Sequence, residues 1–209
     1  MSLLPSGFPE SWTDYSEHHM PYSIIQPPFT LKFAEMSRAE LKAYYAWFME
    51  QIPIRLAILE SSVRETPGFG SWAADSTEAS LAGLGEWYAM QVETRQRTRD
   101  EMEEIMGSLI FPVDVPDHEL TNKTFSLAVD IGMYWSTVLR RRYPTLQWDL
   151  IMKSKRYVDY GQPVLMGFAA KVPLNPVRIM IVMAYGLADG SKSAARLLEL
   201  HKVWSAEVV

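Results

Sequence analysis

The hydrophobic positions of this chain recur mostly at intervals of three and four residues, the period of an amphipathic helix. The longest uninterrupted run of this kind covers residues 121–143. Phe125, Ala128, Val129, Gly132, Trp135 and Leu139 mark one side, and Leu127, Ile131, Met133 and Val138 make most of the remainder apolar. A helix apolar nearly all round is a central one, covered on several sides. Thr121 is its expected N-cap, and Arg140, Arg141 and Arg142 precede Pro144 at its end, where cations suit the helix C-terminus and proline stops it. A single polar stripe breaks the pattern. Asp130, Tyr134, Thr137 and Arg141 follow one another at helical spacing and so share a face.

The rest of the pattern predicts helices on both sides of this one. Ser37 and Glu40 form a capping box ahead of Leu41, Tyr44, Tyr45, Phe48 and Ile52. Pro53 either kinks that helix or opens a second one running from Ile54 to Arg64. Ser76 or Thr77 caps a helix facing inward through Leu81, Leu84 and either Tyr88 or Trp87. Thr98 and Glu101 make a second capping box, with Met102, Ile105, Met106 and Leu109 behind it. Glu93–Arg97 and Arg99–Glu103 are read as helical four-spaced ion pairs. Asn175 followed by Pro176 predicts a helix over 176–188, although its β-branched residues leave a strand open. A last helix starts at Ser191 or Ser193 and turns Leu197, Leu198, His201 and Trp204 inward.

Strand-like alternation is confined to short stretches. Phe29–Phe33 reads as a short strand, and residues 146–152 and 163–168 as an antiparallel pair joined by the loop Tyr157–Gln162. Residues 111–120, with two prolines and the acidic Asp114, Asp117 and Glu119, read as a loop. Residues 1–28 hold five of the thirteen prolines and lack periodicity, so they form an irregular arm with Phe8, Trp12, Tyr15 and Tyr22 as anchors. The expectation is an α+β protein: an arm over 1–28, then one mostly helical domain over 29–209 with a long central helix and a small antiparallel sheet.

Composition narrows the function classes. A net charge of −5 argues against nucleic acid as the main partner, because phosphate binding needs a basic face. The chain has no cysteine, which removes disulfides, thiolate metal sites and a cysteine nucleophile, and fits a cytoplasmic location. The N-terminus shows no basic segment followed by an apolar run, so no signal peptide is expected. The longest apolar run, Ile179–Leu187, is about half the roughly 20 residues of a membrane span, so no membrane partner is expected.

Motifs for common chemistries are missing. G-x-S-x-G, the phosphate-binding G-x-x-x-x-G-K-[ST] and H-E-x-x-H do not occur. Gly68–Ala73 matches G-x-G-x-x-A but follows an amphipathic helix rather than a strand, so it is rejected as a dinucleotide motif. Glu17-His18-His19 are read as solvated polar residues, and His201 as a hydrogen-bonded core histidine. No cofactor is expected. The polar stripe is the leading candidate. Asp130, surrounded by Leu127, Val129, Ile131 and Met133, is costly to bury as an ion unless paired. Arg55 and Arg178 are the expected donors if its role is structural; otherwise it is a carboxylate at a pocket floor flanked by Tyr134. Tyr160 and Gln162, in the loop between the presumed strands, are the remaining ligand-binding candidates.

Several segments together resemble a family of uncharacterised bacterial proteins. They are Tyr45-x-Trp47-Phe48-x-x-x-Ile52-Pro53-x-Arg55, Ser80-Leu81-x-x-Leu84-x-x-Trp87, Asp130-Ile131-Gly132-x-Tyr134, Tyr160-x-Gln162-Pro163-Val164 and Asn175-Pro176. The resemblance spans residues 35–205 and implies an immunity-type role, in which the protein binds and blocks a toxin. The leading expectation is therefore a non-enzymatic protein-binding module with a basic partner. The alternative is a small-molecule-binding protein or enzyme with a pocket around Asp130 and Tyr134. A homodimer built on exposed aromatics is a third reading.

Overall fold

The structure, a computed structural model, describes residues 22–109, 111 and 115–208. Glu17, His18, His19, Asp114 and most of the arm lie outside the described residues. The elements follow in the order α1 (Arg38–Glu65), α2 (Glu78–Gln91), β1 (Thr94–Gln96), α3 (Arg99–Ser108) and β2 (His118–Leu120). Then come α4 (Asn122–Arg142), β3 (Gln147–Leu150), β4 (Pro163–Met166), α5 (Pro176–Ala188) and α6 (Arg196–Ala206). The fold is α+β, helical for the most part, with two small two-stranded antiparallel sheets, β1–β2 and β3–β4.

Helix α4 is the centre. Its N-cap Thr121 accepts a hydrogen bond from the Thr124 backbone, and its three arginines fill the last turn. Thirteen of its 21 residues are buried, which fits its apolar circumference. It packs most extensively on α5 and α1 and also touches α2 and α6. The close approach to α5 runs over Gly132: a Cβ there would meet the backbone of Pro176 and Val177 at 3.1 Å. Leu59, Val63, Leu81, Leu84, Tyr88, Trp135 and Leu197 belong to the larger core around α4. A second apolar cluster joins Met36, Leu41, Tyr44, Phe48, Met133 and Tyr160.

Helix α1 runs unbroken through Pro53, over 28 residues and about 42 Å. Neither a second helix nor an end occurs at the proline. Pro53 sits on the exposed face, where water can satisfy the carbonyl that its missing N–H leaves free. Both expected capping boxes form, at Ser37–Glu40 and Thr98–Glu101, and α5 starts from Asn175 with Pro176 in its first turn. Residues 176–188 are helix, not strand.

Four local expectations are corrected. Residues 29–33 are irregular instead of a strand, with a bend at Phe29 and a turn starting at Phe33: Lys32 O accepts from Glu35 N and Met36 N, and Phe29 and Phe33 pack edge-on against Tyr44. No neighbouring strand offers a ladder there among the described residues. Residues 118–120 are a strand, paired Thr94↔Leu120, Arg95↔Glu119 and Gln96↔His118. Charge, rather than apolar alternation, marks this pair: Glu119 meets both Arg95 and Arg97. The four-spaced pair Glu93–Arg97 does not form, because the chain there is no helix; Glu93 bonds Lys123 at 2.6 Å. Finally, α6 begins at Arg196 after Ala195, without a side-chain cap.

Candidate functional site

The polar stripe of α4 divides between different neighbours. Asp130 faces α1, where Arg55 reaches it twice, Nε to Oδ1 and Nη2 to Oδ2, each at 2.8 Å. Both side chains are almost completely buried, with Asp130 at 0% and Arg55 at 3% exposure. Tyr22 donates its hydroxyl to Asp130 Oδ2, and Arg55 Nη2 also donates to Tyr22 at 2.9 Å and to Ser126 Oγ at 3.2 Å. Burial pushes the Asp130 carboxyl above its ordinary range, and the bonds from Arg55 and Tyr22 oppose that rise. Tyr134, one turn on, is bound elsewhere: its hydroxyl pairs with Ser80 Oγ at 2.6 Å and accepts from Ser76 N at 3.0 Å. Thr137 donates to the Met133 carbonyl and Arg141 to that of Asp75. The stripe makes no common site.

Arg178 is the partner of Asp159, at 3.1 Å, and not of Asp130. Asp159 is buried and also accepts from Asn175 Nδ2 at 2.8 Å. The same nitrogen bonds Gln162 Oε1 at 2.8 Å, while Gln162 Nε2 donates to the Val158 carbonyl. Asn175 thus caps α5 with its oxygen and ties the Tyr157–Gln162 loop with its nitrogen. Tyr160 is buried against the second apolar cluster.

Between these two polar clusters lies a cavity of about 670 Å³. Its walls come from α1 (Tyr44, Trp47, Phe48), α4 (Asn122, Phe125, Ser126, Val129) and α5 (Val177, Ile181). Gln162, Pro163 and Asn175 close one side, and the segment from Ile24 to Phe33 forms another. That segment is fixed by Tyr22 at the Asp130–Arg55 pair and by Ile25 N, which donates to Ser126 Oγ at 2.9 Å. Ser126 therefore both anchors the segment and lines the cavity. Of the six residues singled out from sequence, Gln162 alone lines it, and Asp130 and Arg55 hold a wall from behind. Tyr134 and Arg178 face other neighbours. Tyr44 and Trp47 were missed as site residues, since aromatic residues at helical spacing read first as core.

The lining is mainly apolar and aromatic, and among the described residues it includes no charged side chain. Among those residues, too, no three His, Asp or Glu side chains gather as a metal site, and no helix is long and apolar enough to cross a membrane. His201, expected as a hydrogen-bonded core histidine, is buried; its Nε2 meets Ser205 Oγ at 3.4 Å, and its Nδ1 has no partner among the described residues. No family model matches the chain, and no curated protein or solved structure matches it either.

Proposed function

We propose that this protein binds a small, predominantly apolar molecule in the cavity between α1, α4, α5 and the Ile24–Phe33 segment. One observation carries the reading: an aromatic-rich cavity of about 670 Å³, with a few neutral polar groups at its edge. That volume lies within the range of pockets that enclose drug-sized ligands, and an apolar lining with few polar groups is their usual form. Asp130 and Arg55 serve the site indirectly, by fixing the segment that forms one wall. The neutral probe N-phenylnaphthylamine tests the proposal through its fluorescence gain in apolar surroundings. Saturable one-to-one binding that Ile181→Trp abolishes is expected, because the larger side chain fills the space from α5. Binding that is absent, or indifferent to Ile181→Trp, removes the proposal.

A second reading keeps the protein-binding role implied by the family resemblance, with a basic, toxin-like partner. It is supported by the charge of −5 and by Met106 and Phe111, which are 58% and 74% exposed at and beyond the end of α3. A partner recovered at low salt should be lost at high salt and with Phe111→Ser. Recovery insensitive to both would count against it.

A further inference from the structure

Two side chains that carry hydrogen-bond donors, on one turn of α1, line the cavity. Tyr44 is 7% exposed, yet its hydroxyl has no hydrogen-bond partner among the described residues. Its ring is held by Phe29 and Phe33 edge-on and by Trp47 in a stack, with centroids 5.7 Å apart. The Trp47 indole N–H, three residues along the same helix, likewise finds no partner among those residues. Neither polar atom is sealed from solvent, so each can donate to a molecule entering the cavity, and an indole N–H can only donate. Burial also pushes the Tyr44 hydroxyl up to about 12, so it keeps its proton at neutral pH.

Of the other polar side chains on the lining, Gln26 and Asn122 are exposed to water, and the remaining ones are bonded within the protein. Ser126 Oγ is bonded by Ile25 N and Arg55, and the Asn175 amide by Asp159, Gln162 and Arg178 N. Arg55, the buried cation beyond the wall, spends its charge on Asp130. An anion entering the cavity would lose its water and meet no counter-charge.

We infer that the ligand is an uncharged, mainly hydrocarbon molecule bearing one oxygen acceptor, such as a hydroxyl, ether or carbonyl, which Tyr44 and Trp47 receive. This rests on the cavity being a ligand site, and the experiment separates the two ideas. Decanol, decane and decanoate share a chain length and differ only in the end group. Each is titrated at neutral pH against bound N-phenylnaphthylamine. Decanol should displace the probe at concentrations about tenfold lower than decanoate, since burying an unpaired carboxylate is unfavourable. Tyr44→Phe keeps the ring packing and should weaken decanol severalfold while leaving decane unchanged. Decanoate matching decanol, or decanol indifferent to Tyr44→Phe, overturns the inference and leaves the cavity as a site of another specificity. Failure of the probe itself to bind brings down both.

Discussion

Arg55 and Asp130 meet in a two-pronged ion pair at 2.8 Å and 2.8 Å, joining α1 to α4 where both side chains are almost completely buried. Two charges taken out of water gain little by pairing, but removing one leaves the other buried and uncompensated. Asp130→Asn is therefore expected to destabilise the fold by about 3–5 kcal/mol, a large share of a domain's usual stability. A pair of thermal melts at neutral pH decides the matter. An unchanged or higher midpoint for the variant would contradict this account. Replacing both partners together, as Arg55→Met with Asp130→Leu, should recover much of the loss.

Gly132 sets how closely α4 and α5 can approach. An added Cβ would press on the Pro176–Val177 backbone at 3.1 Å, and backbone at the start of a helix yields poorly. Gly132→Ala usually gains helix propensity, by up to about 1 kcal/mol. Here overpacking, typically costing about 1–3 kcal/mol, should outweigh that gain. The denaturant midpoint should fall. A rise would mean that the two helices can separate at little cost.

Much of the frame could be read from sequence because it rests on local chemistry. The caps at Ser37, Thr98, Thr121 and Asn175 satisfy orphaned backbone donors by short-range rules, and all four hold. The pairing of residues 146–152 with 163–168 also held at its core, since Leu146 is buried and Trp148 and Leu150 are half-buried along one side. What escaped was long-range. Sheet β1–β2 has exposed, polar residues on β1 and is joined by charges 24 positions apart, so no apolar period announces it. Asp130 was recognisable as a buried ion needing an arginine, yet choosing Arg55 over Arg178 required knowing which helix crosses beside it. The cavity depends on where the Ile24–Phe33 segment lies. That course follows from Tyr22, more than 100 residues from Asp130 in sequence.

His201 should make stability depend on pH. Burial is the main cause that holds its imidazole below the ordinary 6.5, with Arg142 adding to the effect and Glu78 opposing it. The unfolded chain then takes up a proton near pH 6.5 while the folded chain resists. Stability is complete above that value and is lost as pH falls through the folded-state value. His201→Gln should flatten the part of the melting-temperature profile between about pH 7 and pH 5, because glutamine removes the buried imidazole's share of the titration. Equal slopes for the two proteins would show that His201 is protonated without penalty in the fold.

Tyr22 offers a way to loosen the cavity wall without disturbing the ion pair behind it. Its ring lies 5.5 Å from the Arg55 guanidinium carbon, so Tyr22→Phe keeps that contact and removes only the hydroxyl. The lost bonds to Asp130, Arg55 and Ser126 should cost about 1–3 kcal/mol, because Arg55 and Asp130 are then each short of a partner. Global unfolding should move less than with Asp130→Asn, since both bonds between Arg55 and Asp130 remain. The local effect should be larger: the Ile25 amide, bonded to Ser126, is expected to exchange its hydrogen faster than α1 and α4 amides do. Hydrogen exchange resolved by residue measures both effects at once. If Ile25 and the helix amides speed up equally, the segment does not open on its own. Tyr22 would then be an ordinary part of the core rather than the fastening of a separable wall.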